Sequence, residues 1–217
     1  MMQASLHTAP DHLVITAPTL ESGMAWVQQQ LGVSMAPRIG GQHARLGTHN
    51  ALLSLGAGFY LEVIAMDPDG ATPARPRWFG LDELPADAPP RLAHWVARTD
   101  DIEAAVAASP IAIGEITPMS RGALAWLITI TADGRLSRAG LMPSLIQWHS
   151  QPHPPSVLSD LGCRLQRLVL SHPAPAELGA ALAAVGIDDA RIVLREGRQT
   201  TIEAVISTPQ GERVLPG

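Results

Sequence analysis

The sequence predicts an α+β protein built from two paired βαβββ modules and a shorter βαββ unit. The first observation is a strand-like run with an early histidine at residues 11–15, followed by a helical pattern and three further strand-like runs, the last at residues 59–64. The second is a looser copy of this order about eighty residues later, which opens at residues 94–97 and closes at residues 144–149. The third is a shorter set of runs after residue 164.

The first module begins with a strand and a helix. Alternation of side chains around His12 and Val14 is typical of a strand. Thr19 is a suitable helix cap, residues 20–31 carry apolar side chains at helical spacing, and Gly32 ends the pattern. Three short strands are predicted at residues 44–46, 51–55 and 59–66, with turns at Gly40–Gly41, Gly47 and residues 56–58.

A loop rich in proline, aspartate and glycine connects the two modules over residues 67–90. The pair Trp78–Phe79 lies inside this loop, and exposing two aromatic rings to water is costly. We therefore expect this pair to fold back onto a core or over a cleft.

The second module repeats the order of the first. It is predicted to contain a strand at residues 92–98, a helix at 100–108 capped by Thr99 or Asp100, and strands near residues 111–116, 124–131 and 144–149. We place both modules in one domain over residues 1–150, with the first module at 11–66 and the second at 91–150.

A stiff, proline-rich linker at residues 151–155 leads to a partial third module within residues 151–217. Strands are predicted at residues 165–170, 191–194 and 201–207, with a helix at 175–185. Arg167 occupies the position that His12 has in the first module, so we expect this unit to be a scaffold.

Composition favours a compact protein without a polyanionic partner. Of the 217 residues, 46% are apolar and 16% charged, and the net charge of -5 argues against binding to nucleic acid or an anionic membrane. Cys163 is the one cysteine, which fits a reducing compartment. Residues 1–10 lack the pattern of a signal peptide, and no apolar run reaches the length of a membrane span. We therefore expect a soluble, cytoplasmic protein.

Several short motifs are similar to those of a known superfamily. They are Asp11-His12-Leu13-Val14, Leu31-Gly32-Val33, Gly40-Gly41-Gln42-His43, Leu46-Gly47-Thr48-His49-Asn50, Tyr60-Leu61-Glu62 and Leu145-Ile146-Gln147-Trp148. In order and spacing over residues 11–150, these motifs resemble the glyoxalase-like branch of the vicinal oxygen chelate superfamily. The resemblance implies that the two modules enclose a cleft between mixed sheets.

The resemblance also implies a divalent metal ion, held by side chains from the first and last strands of both modules. Carried over by position, its ligands would be His12, Glu62, His94 and Gln147, with an amide oxygen in the last place. Two histidines and one carboxylate suit an open site for Zn, Ni, Mn or Fe. His149 lies two residues beyond Gln147 and is an alternative ligand or a substrate-binding residue.

Each of these residues also has a structural interpretation. Glu62 lies in an apolar run, where a buried carboxylate is costly unless it is paired or metal-bound. Alternatively, its face of the strand is exposed to solvent. His12 and His94 could simply hydrogen-bond the backbone at a strand start. Arg98 and Arg121 could clamp a substrate carboxylate or be solvated surface residues.

The expected function is that of a metal-dependent lyase, isomerase or dioxygenase acting on a small substrate with vicinal oxygens. Glu62 would be both ligand and catalytic base, a doubling that disfavours the glyoxalase I reaction itself. The alternative is a metal-free binding or resistance protein for a small aromatic molecule, with Trp26, Trp78, Trp126 and Trp148 lining the cleft. A catalytically inactive scaffold is the third hypothesis. Because both modules lie in one chain, the cleft needs no second subunit, and a homodimer stays open.

Overall fold

The computed structural model describes residues 6–35, 40–150 and 153–217. Residues 1–5 of the N-terminal segment and residues 151 and 152 of the expected linker therefore lie outside the described residues. Nowhere in the described ranges is there a helix long and apolar enough to cross a membrane.

The first module forms as a βαβββ unit. It consists of β1 (Thr8–Thr16), α1 (Leu20–Leu31), β2 (Gly40–His43), β3 (Thr48–Ser54) and β4 (Tyr60–Met66). Helix α1 begins where expected, because the Thr19 side chain accepts a hydrogen bond from the Ser22 backbone. It ends at Gly32, whose φ of 69° lies in the left-handed region that favours glycine.

Strand β2 lies earlier than the expected strand at residues 44–46, where the chain turns instead. The two glycines at the start of β2 pair with Ala51 and Asn50 on β3. A Cβ atom on Gly40 would lie 1.9 Å from the Asn50 backbone oxygen, so close pairing here requires glycine.

The second module has the same order of elements. It consists of β5 (Arg91–Thr99), α2 (Ile102–Ala108), β6 (Glu115–Arg121), β7 (Leu124–Ile130) and β8 (Ser144–Trp148). The cap of α2 is Asp101, not Thr99 or Asp100, since Asp101 Oδ1 accepts from the Ala104 amide at 2.9 Å. Strand β6 begins four residues later than the expected strand at 111–116.

The two modules share one eight-stranded mixed sheet in the order β2-β3-β4-β1-β5-β8-β7-β6. Strands β1 and β5 pair antiparallel at its centre, and each runs parallel to the last strand of its own module. The sheet curls so far that its two edge strands, β2 and β6, come together. Where they meet, Arg121 on β6 donates a hydrogen bond to the side chain of Asn50 on β3, the strand next to β2, at 2.8 Å. The curl encloses the cleft that the fold class predicts.

The C-terminal unit adds a second sheet. It consists of β9 (Arg164–His172), α3 (Pro175–Ala184), β10 (Ile192–Glu196), β11 (Thr201–Thr208) and β12 (Gly211–Pro216), with strand order β10-β9-β11-β12. The last strand was not expected from the sequence, and the strand order differs from that of the first two modules. The domain boundary at residue 150 stays a prediction.

Successive residues of the central strands contribute their side chains to two different hydrophobic cores. Leu13 and Ile15 face the helices and the second sheet, in a core that also holds Trp95 and Leu215. Val14 faces the interior of the curled sheet, in a smaller core that contains Trp78 and Phe79 from the connecting loop. This alternation is the strand period of two, and it places every second residue of β1, β4, β5 and β8 toward the cleft.

Candidate active site

His12 on β1 is the centre of the candidate site. Its Nδ1 lies 2.7 Å from Asp11 Oδ1, and its Nε2 lies 3.5 Å from Glu62 Oε2. The parallel register of β1 and β4 sets Tyr60 opposite His12, and the two rings stack with centroids 4.5 Å apart. Because Glu62 is two residues further along β4, its carboxylate points to the same face as the imidazole.

The protonation states in this cluster follow from burial and paired charge. Burial lowers the pKa of His12, but the hydrogen bond and charge of Asp11, together with Glu62, outweigh it and raise the pKa to about 9. Burial raises the pKa of Glu62, yet the contact and charge of His12, with smaller effects from His43 and Asn50, lower it to about 2. The pKa of Asp11 is held far below its usual range despite burial, by His12 and then His153. At neutral pH the cluster therefore holds an imidazolium between two carboxylates.

Asn50 and Arg121 complete the polar wall of the cleft. The Asn50 side-chain amide donates to Glu62 Oε1, and its oxygen accepts from Arg121 Nη1 at 2.8 Å. The Gly41 backbone also donates to that oxygen at 2.9 Å, which fixes the orientation of Asn50. Arg121, which the sequence predicts to bind substrate, therefore lies at the cleft and is linked to Glu62 through the Asn50 side chain.

His43 is a further imidazole in the cleft. Its Nδ1 lies 3.1 Å from Thr48 Oγ1, and its Nε2 lies 3.4 Å from Arg121 Nη1. Burial lowers the pKa of His43 to about 4, with the positive charge of Arg121 acting in the same direction. The ring is therefore neutral at physiological pH.

Aromatic side chains close the cleft. Its walls include Trp78, Trp126 and Trp148, whereas Trp26 packs on the helix side of the sheet. The cavity beside Glu62 has a volume of about 20 Å³, room for about one water molecule. The loop pair Trp78–Phe79 lies over it, buried, with Trp78 Nε1 donating to Thr48 Oγ1 at 3.3 Å. In this closed arrangement the cavity has no room for anything much larger than a water molecule.

Phe79 is held in an uncommon backbone conformation in that loop. Its φ is 59°, in the left-handed region that costs a bulky residue energy. The ring is fixed by stacking on Trp78 with centroids 5.1 Å apart and by contact with His94 at 5.4 Å. The packing of these rings maintains the closed loop.

The structure does not bring His94 to Glu62 as a metal ligand. His94 Nδ1 donates to the Gly140 carbonyl at 3.2 Å, while Nε2 accepts from the Ser144 amide at 3.0 Å. Burial lowers the pKa of His94 to about 3. The ring is neutral, and its one lone pair is already engaged by the backbone.

Gln147 and His149 also differ from their expected positions. On β8 the residues that face the cleft are Ile146 and Trp148, so Gln147 points to the opposite side. Its Oε1 accepts from the Ile102 amide at the start of α2, at 2.9 Å. His149 is exposed at the end of the strand. The counterpart of Glu62 is Ser144, since β5 pairs Val96 with Ser144 as β1 pairs Val14 with Glu62.

These placements do not fit a divalent metal ion. In the described parts of the chain, no group of three or more His, Cys, Asp and Glu side chains could hold one. Glu62 and His12 are the two members of the expected set that meet, and His12 is protonated on both nitrogens. A metal ion would have to displace the Nε2 proton of His12, which the charges of Asp11 and Glu62 stabilise, and the nearby Arg121 cation opposes a further positive charge. The cleft is suited to acid–base chemistry instead.

Asp11 is the most important residue that sequence reasoning missed. Its Oδ2 accepts from His153 Nε2 at 2.9 Å and Trp148 Nε1 at 3.2 Å, and lies 3.9 Å from Arg98 Nη1. Strict alternation would place Asp11 and His12 on opposite faces of β1. The pairing of β1 with β5 shifts register between Pro10 and His12, and this bulge lets both side chains meet.

The raised pKa of His12 predicts a pH-dependent contribution to stability. Since the folded pKa of about 9 exceeds the ordinary value of 6.5, the contribution is complete below pH 6.5 and is lost as the pH rises to about 9. Between pH 6.5 and about pH 9, the difference in free energy of unfolding between the wild type and His12→Gln should decrease by about 3 kcal/mol. Urea unfolding at several pH values measures it, with the exposed His149→Gln as control. A difference that stays constant with pH would contradict the protonation assignment.

The chain resembles known proteins in sequence and in fold. The profile of a family described as "Glyoxalase-like domain" matches residues 11–186. A solved structure of a hypothetical protein from Staphylococcus aureus is similar with a TM-score of 0.60 at 12% identity, over 89% of this chain and 87% of that one. Methylmalonyl-CoA epimerase from Mycobacterium tuberculosis has a TM-score of 0.45 at 16% identity, over 70% and 94% of the two chains. No curated protein matches the sequence significantly. At such identities, the likeness to the Staphylococcus aureus protein concerns the fold alone.

Proposed function

We propose that this chain, which belongs to the glyoxalase-like domain family, is a metal-independent isomerase or lyase that moves a proton on a small carbonyl compound. One observation carries the proposal. A buried carboxylate, Glu62, and a buried imidazolium, His12, lie 3.5 Å apart in the cleft. Buried ionisable groups with strongly perturbed pKa values, placed together in a cleft, are a recognised feature of acid–base sites.

The proposed reaction uses both groups in one step. The Glu62 carboxylate accepts a proton from the carbon next to the substrate carbonyl, while His12 Nε2 donates its proton to the carbonyl oxygen. The C–H electron pair becomes the new carbon–carbon double bond, and an enol forms. Glu62 then delivers the proton to a neighbouring carbon of a conjugated enol, on the same face, while the enol oxygen returns its proton to His12. The O–H electron pair re-forms the carbonyl, and the product is the isomer. The positive charge of His12 and the negative charge of Glu62 disappear and return together.

The coupling between the two groups supports this order of events. In the resting state a pKa of about 2 makes Glu62 a weak base. The cation of His12 is a main cause of that low pKa, so transfer of its proton to the substrate raises the basicity of Glu62 at the same moment. Asp11 holds the Nδ1 side of the ring and keeps Nε2 directed into the cleft.

Arg121 indicates the class of substrate. A guanidinium beside the acid–base pair can bind a carboxylate through two parallel hydrogen bonds, and such pairs are stronger than neutral ones. Tyr60, Trp126 and Trp148 supply flat apolar walls. We therefore propose a small oxo acid, in which Arg121 binds the carboxylate and His12 the carbonyl oxygen.

Entry of this substrate requires movement of the Trp78–Phe79 loop, since the closed cavity accepts about one water molecule. Closure over a bound substrate would exclude water from the enol and strengthen the interactions of Glu62 and His12 with it.

The test is hydrogen exchange in D₂O, followed by proton NMR. Wild-type protein, stripped of metal with a chelator, is incubated with 2-oxo and 3-oxo acids of up to about ten non-hydrogen atoms. The proposal predicts catalysed loss of the signal of the hydrogen next to the carbonyl for at least one compound. Exchange that appears only after Zn, Ni, Mn or Fe is restored would contradict metal independence.

A metal-free binding protein is the second candidate, and the three tryptophans around the cleft favour it. A binding role needs shape and stacking but no proton transfer. The same NMR samples distinguish the candidates, because a binding protein would broaden or shift ligand signals without exchanging the hydrogen. That result with every compound in the panel would contradict the proposed enzyme activity.

A further inference from the structure

We propose that a second, open cavity beside the candidate site binds a small aromatic carboxylate. The cavity has a volume of about 430 Å³, within the range of small-molecule sites. It is bordered by Arg98 and Gln147 from the ends of β5 and β8, and by His7 and Ala9 from the start of β1. Neither Glu62, His12 nor Arg121 borders it, so the inference goes beyond the proposed function and does not depend on it.

Arg98 is a fixed cation at this cavity. Its Nη1 donates to the Pro10 and Gly58 carbonyl oxygens, each at 2.9 Å, which holds the guanidinium in place. Within residues 6–35, 40–150 and 153–217, Nη2 and Nε donate to no protein group. The side chain is 43% exposed and borders the cavity, so these donors are accessible to a ligand.

The nearest carboxylate does not neutralise Arg98. Asp11 Oδ2 lies 3.9 Å from Nη1, beyond hydrogen-bonding distance, and already accepts from His153 and Trp148. Its other oxygen is bound to His12. The charge of Asp11 is thus shared among other partners, and Arg98 retains a positive field toward the cavity.

Gln147 and Trp148 add a neutral donor and a ring. Since Gln147 Oε1 is fixed by the Ile102 amide, the amino group of the same side chain is left as a donor at the cavity wall. Trp148 donates its indole N–H to Asp11, which locks a broad apolar ring against the cavity. A carboxylate on Arg98 and Gln147 would therefore place an attached aromatic ring beside Trp148.

Asp100 selects among anions. This exposed carboxylate also borders the cavity, and its negative charge opposes a dianionic phosphate more strongly than a singly charged carboxylate. Besides the imidazoles of His7 and His153, the cavity presents a fixed guanidinium, an amide donor, the Trp148 ring and a repelling carboxylate, and this combination favours a monoanionic, aromatic ligand.

The test is calorimetric titration of benzoate, with benzyl alcohol and inorganic phosphate as comparison ligands. Wild-type protein should bind benzoate and bind the other two at least tenfold more weakly. Arg98→Gln should weaken benzoate binding at least tenfold. Ala9→Glu should do the same while keeping the guanidinium, because residue 9 lies directly opposite Arg98 on the neighbouring strand and a glutamate there would pair with it.

Two further variants separate this site from other effects. Arg135→Gln removes an exposed arginine that pairs with Glu83 and should leave benzoate binding unchanged. Glu62→Gln should also leave it unchanged, so that loss of proton exchange and loss of benzoate binding can be told apart. Absence of benzoate binding to the wild type, equal binding of benzyl alcohol, or full affinity in both Arg98→Gln and Ala9→Glu would overturn the proposal.

Discussion

Replacement of Glu62 by glutamine is expected to lower the rate of substrate proton exchange by at least about 100-fold, the usual contribution of a positioned acid or base. Glutamine has nearly the same shape and still reaches Asn50, but it cannot accept a proton from carbon. The Arg121 contact to the substrate carboxylate remains, so the Michaelis constant should change much less than the turnover number. Exchange rates in D₂O at several substrate concentrations measure both quantities.

The matched control is Glu115→Gln, which removes an exposed glutamate from the edge strand β6. This variant should catalyse proton exchange of the substrate at the wild-type rate. Glu62→Asp retains the charge but withdraws it from the substrate, and should give an intermediate rate. An unchanged turnover number in Glu62→Gln, with the protein folded by circular dichroism, would remove Glu62 from the mechanism.

Replacement of Asp11 by alanine is expected to destabilise the protein by about 3–5 kcal/mol, the cost of leaving a buried charge without its partner. Asp11 is fully buried, and its loss would leave His12, His153 and the Trp148 indole without their acceptor. Among the described residues, Glu62 would then be the one anion left beside the His12 imidazolium. Urea unfolding at pH 6, where His12 is fully protonated, measures the loss.

Asp160→Ala is the control for that experiment, because Asp160 forms an exposed ion pair with Arg164. Solvent screens such pairs, and a loss of stability much smaller than that of Asp11→Ala is expected, although Asp160 also accepts from the Gly162 amide. Equal stability of Asp11→Ala and wild type would mean that the Asp11–His12 contact is not the ionised pair described above.

Much of the fold could be predicted from local sequence. Thr19 and Gly32 bound α1 because capping depends on adjacent residues. The strand β12 was missed because an edge strand that pairs only with β11 needs little apolar surface, and one residue of it, Leu215, is buried. Strand β6 was predicted too early in the chain because it contains Pro118. A strand at the edge of a sheet tolerates a proline.

The site was predictable only in part, since it depends on register between strands. His12 and Glu62 stood out as polar residues within apolar runs. The sequence alone could not show that Gln147 faces α2, because a shift of one residue exchanges the two faces of a strand. Asn50 and Arg121 meet through the curl of the whole sheet, and Asp11 joins His12 through a bulge. None of these contacts has a local sequence signal.

The central claim is that His12 and Glu62 form an ionised acid–base pair and not a metal site. Nitrogen-15 NMR of the His12 ring, titrated from pH 5 to 10 and then repeated with one equivalent of Zn²⁺, tests it most directly. The predicted result is an imidazolium with both nitrogens protonated at neutral pH and a pKa of about 9, unchanged by the metal at pH 7. A neutral ring at pH 7 whose Nε2 resonance shifts on addition of Zn²⁺ would contradict the claim and restore the metal site that the sequence resemblance implies.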